Sequence, residues 1–187
     1  MTPALDAAYA QSHRRYHTRA HVEACLALLA EQTGLTADER RLLTLALWWH
    51  DAVYDPARSD NEEASAALAR DDLAALGEPV EVRDEVARLI LMTKGHRAPV
   101  GDRLGALIVS IDLAVLGADP AVYDAYAAAV RQEFSFVPDE AFRAGRARVM
   151  RRFLDADAIF PDPGLRDRFE ARARANIARE LARLARA

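Results

Sequence analysis

Apolar positions recur at helical spacing along almost the whole chain. Val22, Cys25, Leu26 and Leu29 form an i, i+3, i+4, i+7 stripe, the mark of one buried helix face. "TADE" at 36–39 sets a glutamate three residues after a threonine, which predicts a capped helix start. That helix continues through Leu42, Leu43, Leu45, Ala46 and Trp49. "SDNE" at 59–62 has the same form and predicts another start at Ser59, with the helix running to about Leu76 before Gly77. Val82, Val86, Leu89, Ile90 and Thr93 make a further stripe, for which Gly95 is the expected stop. "RLGALIVSIDLAVLG" at 103–117 has a β-branched centre and admits a short buried strand. Read as a helix, it places Leu104, Leu107, Ile108, Ile111 and Val115 on one face and ends at Gly117; helical neighbours on both sides favour that reading. Asp119-Pro120 opens the next helix, since proline suits a first turn. Others are expected from about Pro138 to Leu154 and from Leu165 to Ala187.

No segment repeats and no low-complexity linker interrupts the pattern, and 95–102 and 155–165 are the expected excursions. The expectation is one all-α domain over residues 1–187, a bundle of about eight or nine helices. A chain of 187 residues buries a sizeable core without disulfides, and the single cysteine, Cys25, excludes an internal one. Hydrophobic residues at 51% against 29% charged place it among folding chains. The net charge of −4 argues against a general nucleic-acid binder, which carries a basic face. The arginines between 166 and 186 are spaced among alanines and glutamates like the solvated side of a terminal helix. With no apolar leader and no 18-residue apolar run, no membrane partner is expected and the location expected is cytoplasmic.

The ionisable residues carry the chemical signal. His21 shares a face with Cys25 and Leu28. His50-Asp51 ends the apolar run "ALWWHDAVYD", and Asp112 lies four residues from Ile108 inside a buried stripe. Each has a plain structural explanation: a satisfied core histidine, a turn cap, a bond to a neighbouring helix end. Together, two histidines and two aspartates on three apolar helices form a donor set of imidazole nitrogens and carboxylate oxygens without thiolate. That set suits a divalent cation of intermediate hardness.

The order His21, then His50-Asp51, then Asp112 resembles the H…HD…D signature of the HD superfamily of metal-dependent phosphohydrolases. "YHTRAHVE", "WHDAVYDPARSDNEEASA", "LMTKGH", "SIDLAVLG" and "AYAAAVRQEFSFVPDEAFRAGRARVMRRFL" are similar to blocks of one bacterial branch of predicted HD phosphohydrolases. The likeness runs over residues 12–182. It implies an all-α domain with the metal held by His21, His50, Asp51 and Asp112; two carboxylates and no sulfur among these donors make Mn²⁺ the first expectation, with Mg²⁺, Co²⁺, Ni²⁺, Fe²⁺ or Zn²⁺ as alternatives. It also implies hydrolysis of a small phosphate ester or anhydride, a nucleotide first among substrates. Dinuclear members carry extra histidines between the HD pair and the last aspartate. His96 alone falls in that interval, so a mononuclear site is expected.

Further candidates surround this set. Asp51, Glu62 or Glu63 would accept a proton from the attacking water. Glu62 has a competing duty in the Ser59 capping box, which makes Glu63 the expected one. Lys94, the sole lysine, and His96 sit where a helix ends, and there they would bind phosphate or protonate a leaving oxygen. The alternative for both is simple pairing with the helix dipole. His17, four residues before His21, shares its face if that helix reaches back so far. Arg143 and Arg146 are candidates for phosphate contact. Two other readings stand beside the enzyme: a module that senses a nucleotide or metabolite without turnover, and a di-iron oxygenase, which the shortage of histidines disfavours. Apolar helix faces also make a homodimer an open expectation.

Overall fold

A computed structural model describes residues 3–186 of the chain. Among the described residues the secondary structure is helical without strands, so the all-α bundle holds. Its nine helices are α1 (Pro3–Tyr9), α2 (Arg19–Glu31), α3 (Ala37–Trp49), α4 (Asn61–Ala75), α5 (Val80–Gly95), α6 (Arg103–Asp112), α7 (Pro120–Glu133), α8 (Asp139–Leu154) and α9 (Pro163–Leu184). A 3-10 segment, Leu113–Gly117, follows α6.

The predicted stripes are the buried ones. Leu43 and Leu47 of α3, Val86, Leu89 and Ile90 of α5, and Ile108 and Ile111 of α6 are fully or almost fully enclosed. Each such side chain contributes about 1.5–3 kcal/mol relative to exposure. Helix α5 packs along α4, α3 and α6, and α2 closes over α3 and α6. The ends of α3 and α6 are thereby brought against α2. No single helix among the described residues is long and apolar enough to cross a membrane; the apolar stretch 103–133 turns through 103° between α6 with its 3-10 extension and α7.

Side-chain caps set several boundaries. At Thr36 the capping box forms: the hydroxyl accepts from Glu39 N at 3.2 Å, and Glu39 Oε2 accepts from Thr36 N at 2.8 Å. Asp102 caps α6 through Gly105 N, and Asp162 caps α9 through Leu165 N, both at 2.9 Å. The second expected box does not form. Helix α4 starts one residue late, at Asn61, with Asp60 as its N-cap and no side-chain cap bond. The competing contacts explain this. Asn61 brackets the backbone of Asp55, and Lys94 Nζ takes the carbonyl of Ser59 at 2.9 Å, so Ser59 belongs to the preceding loop.

Other boundaries differ for equally local reasons. Helix α2 begins at Arg19, so His17 precedes it and does not share its face. Gly95 is the last residue of α5, and His96 itself adopts the left-handed conformation, φ 50°. The helix through 103–117 tightens to 3-10 after Asp112. There Gly117 lies against α9, where an added Cβ would fall 2.6 Å from Phe169 Cβ and 2.8 Å from its carbonyl oxygen. Buried Asn176 fastens the same corner by donating to the carbonyls of Leu116 and Ala118, each at 2.9 Å. Helix α1 and the loops 10–18 and 50–60 were not expected from the pattern. The predicted C-terminal limit, Ala187, lies outside the described residues.

Candidate metal centre

The four donors that the sequence singles out meet at one point. His21 enters from the first turns of α2, and His50 is the C-cap of α3 with Asp51 next to it. Asp112 is the last residue of α6. His21 Nε2 lies 3.2 Å from His50 Nε2 and 3.1 Å from Asp112 Oδ1. His50 Nε2 lies 3.1 Å from Asp51 Oδ2 and 3.6 Å from Asp112 Oδ1, and His21 Nε2 is 3.7 Å from Asp51 Oδ2. Metal–ligand bonds of about 2.1 Å at right angles separate neighbouring donors by about 3 Å, so these spacings fit a shared cation.

The protonation pattern points the same way. His50 Nδ1 donates to the carbonyl of Leu47 at 2.8 Å, which turns Nε2 toward the cluster. Burial works against charge on Asp51, but His50, His17 and His21 outweigh it and hold its carboxyl below the usual carboxylate range. Burial likewise opposes charge on Asp112, and the bonds from His21, His50 and His96 overcome it. The His50 imidazole, which burial alone would keep neutral, is raised well above its ordinary value by Asp51 and Asp112. The cluster therefore demands positive charge, as protons or as a metal ion. The carbonyl end of α3 adds to that demand. Cys25 Sγ is 3.8 Å from both ring nitrogens of His21. Burial pushes its thiol up, however, so it stands as a neutral wall beside the donors.

One side of the cluster opens into a cavity of about 750 Å³, bordered by Asp51 and Asp112 and also by His17, Glu62, Lys94 and His96. Glu62, in the first turn of α4, borders it half-buried and has no hydrogen-bond partner among the described residues. Glu63 is exposed and paired with Lys94 Nζ. The expected order of these two glutamates rested on a capping box that is absent; the available carboxylate at the cavity is Glu62. Lys94 ties α5 to the 50–60 loop through Ser59 and to α4 through Glu63. The left-handed backbone of His96 brings its Nε2 to 3.4 Å from Asp112 Oδ2 and its ring edge-on to Phe153. Such a conformation is uncommon without glycine and is retained where surrounding contacts fix it.

The arginine candidates lie elsewhere. Arg146 borders the cavity, but its guanidinium is committed to both oxygens of buried Glu180, at 2.9 and 3.2 Å, and to Tyr126 OH. Arg143 lies outside the cavity lining.

Loop 10–18 closes the cluster through two residues that the sequence reading passed over. Buried Arg14 donates to the carbonyls of His17, Asp51 and Ala52 at 2.7–3.0 Å, which satisfies carbonyls just past the end of α3. Buried Glu133, at the end of α7, gathers five donors. Its Oε1 accepts from the backbone N–H groups of Arg15, Tyr16 and His17, and its Oε2 from His17 Nδ1 and Tyr54 OH. Burial would raise the Glu133 carboxyl, yet these partners pull it down to about 2. His17 stacks on Tyr54 with ring centres 4.0 Å apart, and its Nε2 is left as the free ring nitrogen. Glu133 was detectable by the criterion that found the others. It lies seven residues after Tyr126 and three after Val130, on one face of α7.

Comparison with protein-family models, with curated proteins and with solved structures yields no match.

Proposed function

We propose that the chain is a metal-dependent phosphohydrolase of the HD type, acting on a small phosphate ester or anhydride. The observation that carries this reading is the convergence of His21, His50, Asp51 and Asp112, with each aspartate 3.1–3.7 Å from both imidazoles, beside a cavity. These residues fit one divalent cation, with Mn²⁺ first by their mixture of nitrogen and carboxylate donors. Such an ion, when bound, supplies Lewis-acid polarisation of a phosphoryl oxygen and a water acidic enough to react near neutral pH.

The chain's own groups do the rest. Glu62, at the cavity without a hydrogen bond and within the field of Lys94, accepts the proton of the attacking water, a task worth roughly 10²–10⁴ in rate. His17, held through Nδ1 by Glu133, offers Nε2 to a phosphoryl or departing oxygen. His96, beside Asp112 on the cavity wall, is the second imidazole able to protonate a leaving group. Lys94 lends positive charge at the mouth while its ammonium stays bound to Glu63.

The test is metal content and phosphate release on one preparation. Wild-type protein is expected to carry about one Mn²⁺ per chain and to release phosphate from at least one member of a panel of phosphate esters and anhydrides, with activity abolished by chelation. Asp51→Ala is expected to lose both. Unchanged metal affinity in Asp51→Ala would overturn the ligand assignment. Metal binding without turnover across the panel would favour a sensing module instead.

A further inference from the structure

The cavity has two chemically distinct halves. One half borders the donor cluster. The other is lined from α7, α8 and the turn between them by Val130, Phe134, Phe142 and Val149, with Phe153 beside His96 where the two halves meet. The helices do not fill this space themselves: α7 packs mainly on the 3-10 segment and α8 on α9. Gly145 lies on this wall in the interior of α8, and a Cβ added there would meet nothing within 4 Å. A glycine in mid-helix costs about 1 kcal/mol relative to alanine. Here it keeps open a space that any side chain would begin to occupy.

We propose that this apolar limb receives the hydrocarbon part of an amphiphilic phosphate, so that the ligand is a phosphate ester of an apolar alcohol and not a nucleotide. The inference rests on the phosphohydrolase reading for the position of the phosphate, and on the cavity alone for the rest. A nucleobase brings several polar edge atoms, each costly to bury without a partner. The one buried guanidinium on the limb, Arg146, is already saturated by Glu180 and Tyr126. Arg148 and Arg152 also border the cavity but are exposed to solvent. A hydrocarbon chain asks nothing of the limb except room, and a total of about 750 Å³ falls within the usual size of small-molecule sites.

The experiment titrates Mn²⁺-loaded protein with butyl-, hexyl- and octylphosphonate and with a nucleoside 5′-phosphonate, none of which can be hydrolysed. Affinity is expected to rise by about fourfold per methylene, roughly 250-fold from butyl to octyl, with the nucleoside analogue weaker than the octyl compound. Gly145→Leu is expected to flatten the series by filling the limb, and Gly145→Ala to reduce its slope. Melting curves report whether each variant folds, and should Gly145→Leu not fold, the wild-type series and Gly145→Ala decide. Affinity independent of chain length, tighter binding of the nucleoside analogue, or an unchanged slope in a folded Gly145→Leu protein would each overturn the proposal. Phosphate release from octyl phosphate is measured separately. Chain-length-dependent binding without release would sink the hydrolase reading and keep this ligand class. Release of phosphate from other esters with flat phosphonate affinities would do the reverse.

Discussion

Glu133 offers the sharpest test of how the cluster is held closed. The perturbation is Glu133→Gln, which keeps the shape and one acceptor oxygen but removes the charge. The folded carboxyl sits at about 2 against an ordinary 4.5. A difference of about 2.5 units corresponds to roughly 3 kcal/mol of stability. The sign follows from the depressed value: the contribution is present in full above pH 4.5 and is lost as pH falls from there through about 2. Hydrogen-bond accounting gives a larger gross figure, since each of five donors to an ionised acceptor is worth about 1.5–3 kcal/mol. Desolvation of a carboxylate this deeply buried cancels much of that sum, so the linkage value of roughly 3 kcal/mol is the working estimate. The assay is urea unfolding of both proteins at pH 7, 5, 4 and 3. Other carboxylates titrate in both proteins and drop out of the difference. The gap in unfolding free energy should be near its full value at pH 7 and shrink progressively below pH 4.5. A gap that stayed constant from pH 7 to pH 3, or that was already under about 1 kcal/mol at pH 7, would refute the reasoning.

Two further predictions concern positions where the structure revised the reading. Glu62→Gln should slow turnover by about 10²-fold at saturating Mn²⁺ with metal content intact, whereas Glu63→Gln should change it little, because Glu63 is an exposed partner of Lys94; the reverse pattern in kcat would show that the free carboxylate at the cavity is a bystander. Gly117→Ala should destabilise by about 1–3 kcal/mol, a drop of several degrees in Tm, since its methyl collides with the backbone of Phe169. An unchanged melting temperature would mean that the contact between the 3-10 segment and α9 yields without cost.

The helices were legible because their signal is local and redundant. The stripe through Val82, Val86, Leu89 and Ile90 needs no knowledge of what it packs against, and the Thr36 box is complete within four residues. The Ser59 box was equally complete in sequence and still failed. The contacts that displaced it come from Lys94, thirty-five residues away, and from Asn61 folding back on Asp55. A local capping motif offers about 1 kcal/mol, which competing contacts of this kind can match. Gly117 shows the same limit from the other side. It reads as a helix stop, while its physical role is to admit Phe169 from α9.

The donor cluster was legible for a different reason. Charged and imidazole groups on apolar faces are costly when unpaired, so their presence announces a partner even before the partner is known. That argument identified His21, His50 and Asp112, and applied to α7 it also identifies Glu133. It fails for loop 10–18, where no periodicity defines a face. Arg14 and His17 there gain their roles only when Glu133 collects the backbone of 15–17 and Arg14 reaches the carbonyls of Asp51 and Ala52. The same carboxylate that closes the loop also sets which nitrogen of His17 stays free. Closure of the cluster and presentation of that imidazole are thus one event, and a substitution at Glu133 that opened the loop would withdraw His17 from the cavity at the same time.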